Sequence, residues 1–156
     1  MEIAIHRLGP GDDDAVAAAQ HLFDGPADPA ATRRFLAESN HHLLIAYARA
    51  RRPVGFVSGV EITHPDKGTE LLLYELGVDA PVRRRGIGQR LVAAFAALAR
   101  ERGCTGMWVL VDDDNVPALA TYAAAGGRPA SSPRLLEWSW APAGGDGTGE
   151  RTGDAG

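Results

Sequence analysis

Val82-Arg83-Arg84-Arg85-Gly86-Ile87-Gly88-Gln89-Arg90-Leu91 decides how this chain is read. The stretch follows a nearly all-apolar run, Leu71 to Val78, and opens a segment reaching to about Arg102. In that segment Ile87, Leu91, Phe95 and Leu98 recur at helical spacing. The first run predicts a central strand buried on both faces, and the second predicts a helix. At the junction two glycines alternate with an apolar residue, and three arginines precede them. Glycine at 86 and 88 keeps side chains away, so backbone N–H groups and a helix N-terminus point at one spot beside fixed positive charge. Such a spot suits a phosphate or pyrophosphate.

Ile3 to Arg7 alternates apolar and polar residues and predicts a short strand. Asp12-Asp13-Asp14 offers an N-cap for a helix to about Phe23, which Gly25-Pro26 ends. Pro29 to Ser39 reads as a second helix, and His42–Arg49 and Val54–Thr63 as paired strands. Gly77, inside the apolar run, suggests a bulge or a close backbone approach. Met107–Val111 predicts another buried strand, and Val116–Ala125 a helix stopped by Gly126-Gly127. The alternation in Leu135–Trp140 predicts a last strand closing the sheet. The layout is mixed α/β around one central sheet, with Leu71–Val111 as a parallel strand–helix–strand crossover. One domain is expected over residues 1–140, and residues 141–156 read as a mobile glycine-rich tail.

Composition narrows the function. A net charge of −4 argues against nucleic acid as the main partner and is compatible with a cationic substrate. Cys104 is the only cysteine, which excludes an intrachain disulfide and fits a reducing cytosol; it reads as a small buried filler. The first residues lack a basic-then-apolar signal pattern, and no apolar run reaches the roughly 18 residues a membrane helix needs. A cytoplasmic protein with no membrane partner is expected. The five histidines lack metal-ligand spacing, so no metal is expected. His41-His42 and His64 read as surface or strand-edge residues, and Trp108, Trp138 and Trp140 as core or interface aromatics.

The glycines also exclude two phosphate binders. No Gly-x-x-x-x-Gly-Lys-Ser/Thr run exists. A dinucleotide loop would need a third glycine where Leu91 stands. The spacing Arg83-x-x-Gly86-x-Gly88 instead resembles the pyrophosphate loop of the GNAT superfamily of N-acetyltransferases. Asn115-x-x-Ala118-x-x-x-Tyr122-x-x-x-Gly126 is similar to a later motif of the same superfamily. A narrower resemblance, to the aminoglycoside 3-N-acetyltransferase branch, rests on Arg7-Leu8-Gly9-Pro10, Leu22-Phe23-Asp24, Tyr74-Glu75-Leu76-Gly77-Val78 and Pro117-Ala118 before Tyr122. That branch usually shows Tyr-Asp-Leu-Ala-Val at 74–78, and often has acids where Asn115-Val116 stand here.

The resemblance implies the acyl-CoA N-acyltransferase fold. That is a mostly antiparallel sheet with a parallel strand pair splayed at the cofactor site, flanked by about four helices. It implies acetyl-CoA as co-substrate, held by Arg83, Arg84, Arg85, Gly86, Ile87, Gly88 and Gln89 at the pyrophosphate. Leu76, Gly77 and Val78 would lie along the pantetheine arm, with Asn115, Ala118 and Tyr122 nearby. Glu75, an acid in an apolar strand, is the candidate base, or a structural acid paired with an arginine. Tyr122 resembles the superfamily's general acid; otherwise it is a core tyrosine. Asn115 bonds the pantetheine or caps its helix. An aminoglycoside or other polyamine calls for carboxylates, and Asp24, Glu75, Asp112 and Asp113 are the leading candidates among acids that include Glu61. A homodimer is expected by analogy with the superfamily alone, and the other readings are acetylation of another amine or peptide and a coenzyme-binding module without catalysis.

Overall fold

The longest strand-patterned runs become the middle of the sheet in the computed structural model, which describes residues 1–140; the tail expected at 141–156 lies outside the described residues. The strands are β1 (Ala4–Arg7), β2 (His41–Ala48), β3 (Arg52–His64), β4 (Gly68–Val78) and β5 (Met107–Val109). The helices are α1 (Asp13–Ala19), α2 (Pro29–Ala37), α3 (Ile87–Glu101) and α4 (Val116–Ala124). One sheet runs β1-β2-β3-β4-β5. Every neighbouring pair is antiparallel except β4 and β5, which are parallel and joined through α3. The mixed sheet, the single parallel pair and the four helices match the expected fold class.

Alternation sorts the strand residues onto two faces. Leu44, Val57, Leu71 and Leu73 pack with Leu91, Phe95 and Leu98 of α3. Leu43, Ile45 and Phe56 pack with Val16, Ala19 and Leu36 of α1 and α2. No buried residue of β4 or β5 belongs to this second cluster, so α1 and α2 cover only the β2 and β3 side of their face. The α3 contact is unusually close. A Cβ on Gly59 would overlap the Leu72 carbonyl oxygen and stand 2.8 Å from the Phe95 ring.

Three expected elements differ. Helix α1 stops at Ala19 and continues only as a 3₁₀ turn, Gln20–Leu22. Asp12 precedes the helix, but its carboxylate accepts the Gly9 N–H at 2.8 Å and gives no side-chain cap. Strand β5 is shorter than Met107–Val111. Leu135–Trp140 forms no strand, and Trp138 and Trp140 are 72% and 82% exposed, so neither is a core aromatic. Alternation states which side chains can share a face. Forming a strand also requires a ladder partner, and the pattern does not supply one.

His42 corrects another expectation, because it is wholly buried. Arg7 donates to its Nδ1 at 3.0 Å, which leaves the neutral ring's proton on Nε2. That atom faces Glu61 Oε2 at 3.5 Å, too long for a strong hydrogen bond. Arg102 holds Glu61 from its other side through Nε at 2.7 Å and Nη2 at 2.9 Å, and Cys104 Sγ lies 3.8 Å from the same carboxylate. Glu61 is thereby a structural acid rather than a substrate ligand. Burial, then Arg7, lowers the His42 pKa from 6.5, against the opposing pull of Glu61.

Two outcomes follow from this packing. The folded-state pKa of His42 lies below its unfolded value, so its contribution is full above about pH 6.5 and is lost as pH falls through the folded value. Urea midpoints are expected to drop between about pH 7.5 and about pH 5.5, and His42→Gln to flatten that drop. Gly59→Ala is expected to cost about 2 kcal/mol or more, because the added methyl meets backbone as well as Phe95; an unchanged urea midpoint would show that the β3–β4 approach is loose.

Candidate active site

Strand β4 changes partners midway, and this creates the site. Toward β3 its pairing continues to Val78 opposite Gly55. Toward β5 it pairs only from Leu71 to Leu73, with Leu73 opposite Val109 as the last pair. From Tyr74 to Val78 one edge of β4 therefore has no strand beside it among the described residues. The backbone of Leu76, Gly77 and Val78 can pair along that edge with an extended ligand.

A bulge then turns the side chains. Ser58 pairs with Glu75 and Gly59 with Leu73, so Tyr74 is an extra residue in β4. Leu73 and Leu76 both pack against the α3-side core. A regular strand would place one residue between two of the same face; here there are two. Tyr74 and Glu75 thus both face away from α3, although regular alternation predicts opposite faces. The bulge lies at Tyr74, and Gly77 marks a close approach instead. A Cβ at Gly77 would stand 2.5 Å from the Phe56 ring and 3.3 Å from the Leu22 carbonyl oxygen.

That approach brings the segment after α1 across β4. Phe23 packs edge-on against Phe56, with ring centroids 4.9 Å apart. Asp24 follows at once and is near enough to act on Glu75. Burial first, and Asp24 second, raise the Glu75 pKa above the usual carboxylate range. No arginine is paired with Glu75 among the described residues. Asp112 and Asp113 sit exposed on the loop after β5.

The loop into α3 has the expected open geometry. Arg84 and Gly86 both take positive φ, +60° and +76°. Nothing lies within 4 Å of where a Gly86 Cβ would be. The first helical bond runs from the Arg90 N–H to the Gly86 carbonyl at 3.0 Å, and no side chain caps the helix. The N–H groups of Ile87, Gly88 and Gln89 are consequently free to meet an anion. Of the three arginines, Arg83 is already used in part, since its Nε donates to the Val78 carbonyl at 3.0 Å. Arg84 and Arg85 are exposed. The residues present thus fit a diphosphate on backbone N–H groups, flanked by two exposed guanidiniums.

Gly88 is where three elements converge. A Cβ there would stand 3.2 Å from Thr121 Cγ2, 3.7 Å from Val78 Cγ2 and 3.8 Å from Leu76 Cδ2. The N-terminus of α3 therefore touches both α4 and the unpaired end of β4. Gln89 fastens α4 further by donating from Nε2 to the Ala124 carbonyl at 3.1 Å. Asn115 caps α4 through its Oδ1, which accepts the Ala118 N–H at 3.2 Å. Tyr122, on the same helix, packs against the α3-side core. Burial raises its pKa, so its hydroxyl stays protonated at neutral pH. Sequence reading missed Thr121, whose role depends on helix approach, and the facing of Tyr74, which depends on register.

Among the described residues no group of three or more histidine, cysteine or acidic side chains could hold a metal, and no helix is long and apolar enough to cross a membrane.

Comparison with known proteins agrees with this geometry. The model of the acetyltransferase (GNAT) family matches residues 14–126. L-2,4-diaminobutyric acid acetyltransferase of Streptomyces coelicolor is 39% identical over 64 residues, covering 40% of this chain and 36% of that protein. The chain thus matches about a third of that relative's length. Two solved structures share the fold. One is an aminoglycoside acetyltransferase from an uncultured soil metagenomic sample in complex with sisomicin: TM-score 0.75, 20% identity, covering 89% of this chain and 95% of that one. The other is the aminoglycoside N-acetyltransferase AAC(6')-Iy in complex with CoA: TM-score 0.73, 18% identity, covering 87% and 94%.

Proposed function

Because the chain belongs to the GNAT acetyltransferase family, we propose that it transfers an acetyl group from acetyl-CoA to an aminoglycoside, at the 3-amino position, in the cytoplasm. The observation that carries acetyl transfer is the contact of the α3 N-terminus with the unpaired end of β4 at Gly88. A coenzyme whose diphosphate rests on Ile87, Gly88 and Gln89 would extend its pantetheine along Leu76, Gly77 and Val78. Its thioester would then lie near the middle of β4, beside the Glu75 face.

Each chemical requirement has a residue. An ammonium must lose a proton before its nitrogen can attack, and Glu75 is the base that takes it, directly or through water. Its raised pKa makes it a better acceptor than an ordinary carboxylate. As the carbonyl carbon becomes tetrahedral, negative charge grows on oxygen, and a backbone N–H on the open edge of β4 stabilises it. The C–S bond then breaks, Tyr122 gives its proton to the departing sulfur, and the phenolate takes back the surplus proton of the newly acylated nitrogen, directly or through water. The Glu75 and Asp24 carboxylates draw a polycation to the site.

The 3-amino assignment rests on the resemblance of Tyr74-Glu75-Leu76-Gly77-Val78 to the aminoglycoside 3-N branch. A second reading, acetylation of a small diamino acid, is favoured by the partial identity to the diaminobutyrate enzyme. Thiol release from acetyl-CoA with a panel of aminoglycosides, diamino acids and peptides separates them. Turnover on peptides or diamino acids alone would remove the aminoglycoside reading, and coenzyme binding with no turnover on any amine would remove catalysis itself.

Two variants test the roles. Asp24→Asn removes the like charge that helps raise the Glu75 pKa, so the acid limb of the kcat/KM profile is expected to move to lower pH; Glu75→Gln is expected to lower kcat by about 10²-fold or more. An acid limb unmoved by Asp24→Asn would separate Glu75 from that limb. Tyr122→Phe is expected to lower kcat about tenfold or more while coenzyme affinity by calorimetry stays within about twofold.

A further inference from the structure

Among the described residues, the sheet face turned away from α3 is left uncovered beyond β3. Val60, Leu72 and Trp108 form a row across β3, β4 and β5, because Val60 pairs with Leu72 and Leu72 with Trp108. None of the three belongs to either core cluster. Two residues along β4, the bulge places Tyr74 on the same face, 72% exposed. Along β5, Met107 and Val109 pack inward, while Trp108 and Leu110 are 40% and 58% exposed. Strands spaced about 4.8 Å apart make this row about 10 Å wide, which suits a ring system better than a single alkyl chain. Acids bound the platform. Glu75 and its neighbour Asp24 stand next to Tyr74, and Asp112-Asp113-Asp114 follow the exit of β5.

Resting on the acetyl-transfer reading, we infer that this platform seats the non-reacting rings of the acceptor, with Tyr74 as the residue that selects ring-bearing polyamines over short diamines. Saturated rings carry apolar C–H faces that cover tyrosine and tryptophan, and their ammonium substituents point outward to the bounding carboxylates. This combination fits the charge of the rim and the apolar floor together. An apolar protein partner would leave Glu75 and Asp24 unpaired in the contact, which is costly. The position of Tyr74 directly before Glu75 links the two events: rings resting on the phenol bring an attached amine to the base.

The experiment compares steady-state kinetics on a three-ring aminoglycoside and on 1,3-diaminopropane for the wild type, Tyr74→Ala and Tyr74→Phe. Because Tyr74 is mostly exposed, both variants are expected to fold, and thermal melting checks this. Tyr74→Ala is expected to raise KM for the aminoglycoside about fivefold to tenfold with kcat nearly unchanged, and to leave kcat/KM for the diamine unaltered. Tyr74→Phe keeps the ring and is expected to restore the wild-type KM. Equal effects on both acceptors, no effect on either, or wild-type turnover of the diamine without the aminoglycoside would overturn the inference while acetyl transfer stands. A wild type that acetylates no amine would instead overturn the acetyl-transfer reading and the platform with it. Light scattering at assay concentration adds one more outcome: if Tyr74→Ala changes only the state of association, the face joins copies of the chain and the inference is wrong.

Discussion

The approach of α3 to the end of β4 is the constraint from which the site follows. At Gly88 the helix meets Leu76 and Val78 on one side and Thr121 on the other, each at ordinary or slightly tight van der Waals distance from the place a methyl group at 88 would take. Larger side chains would push the helix start outward, and its free N–H groups would no longer meet the unpaired strand edge. Hydrogen bonds hold the arrangement on both flanks. Arg83 ties the loop to the Val78 carbonyl, and Gln89 ties α3 to the end of α4. The free helix N–H groups and the unpaired strand edge are thus features of one junction, because the same short chain segment ends the strand and begins the helix.

The bulge in β4 adds the polar component. By inserting Tyr74 it moves Glu75 to the face crossed by the Leu22–Asp24 segment, where desolvation and a like charge act in the same direction. Elsewhere an acid in a similar setting is handled differently. Glu61 also sits on an interior strand, but Arg102 grips it bidentately and its pKa falls despite the burial that opposes this. The contrast distinguishes a carboxylate with no arginine partner among the described residues from one committed to holding β3 against the end of α3.

Much of this was readable from residues alone. The open backbone of the loop into α3 was readable because glycine spacing directly encodes where backbone can be reached, and the helical spacing of Leu91, Phe95 and Leu98 encodes one buried face. Asn115 and Gly126 mark helix ends through local hydrogen bonding and φ, which need no distant partner. What was not readable depends on register or on long-range contact. The identity of the bulged residue is set by how β3 and β4 align. The burial of His42 is set by Arg7 and Glu61 arriving from other strands. Leu135–Trp140 shows the converse failure, a strand pattern that the fold does not pair.

Cys104, beside Glu61, has a practical consequence for anyone studying this chain. Burial and the neighbouring carboxylate both raise its pKa, so little thiolate exists near neutrality. Colorimetric disulfide reagents react through the thiolate, and the thiol of free coenzyme A ionises in open solvent without that burial. Such a dye would therefore report coenzyme A released by the proposed acetyl transfer, with the chain's single cysteine held back from reaction by its raised pKa.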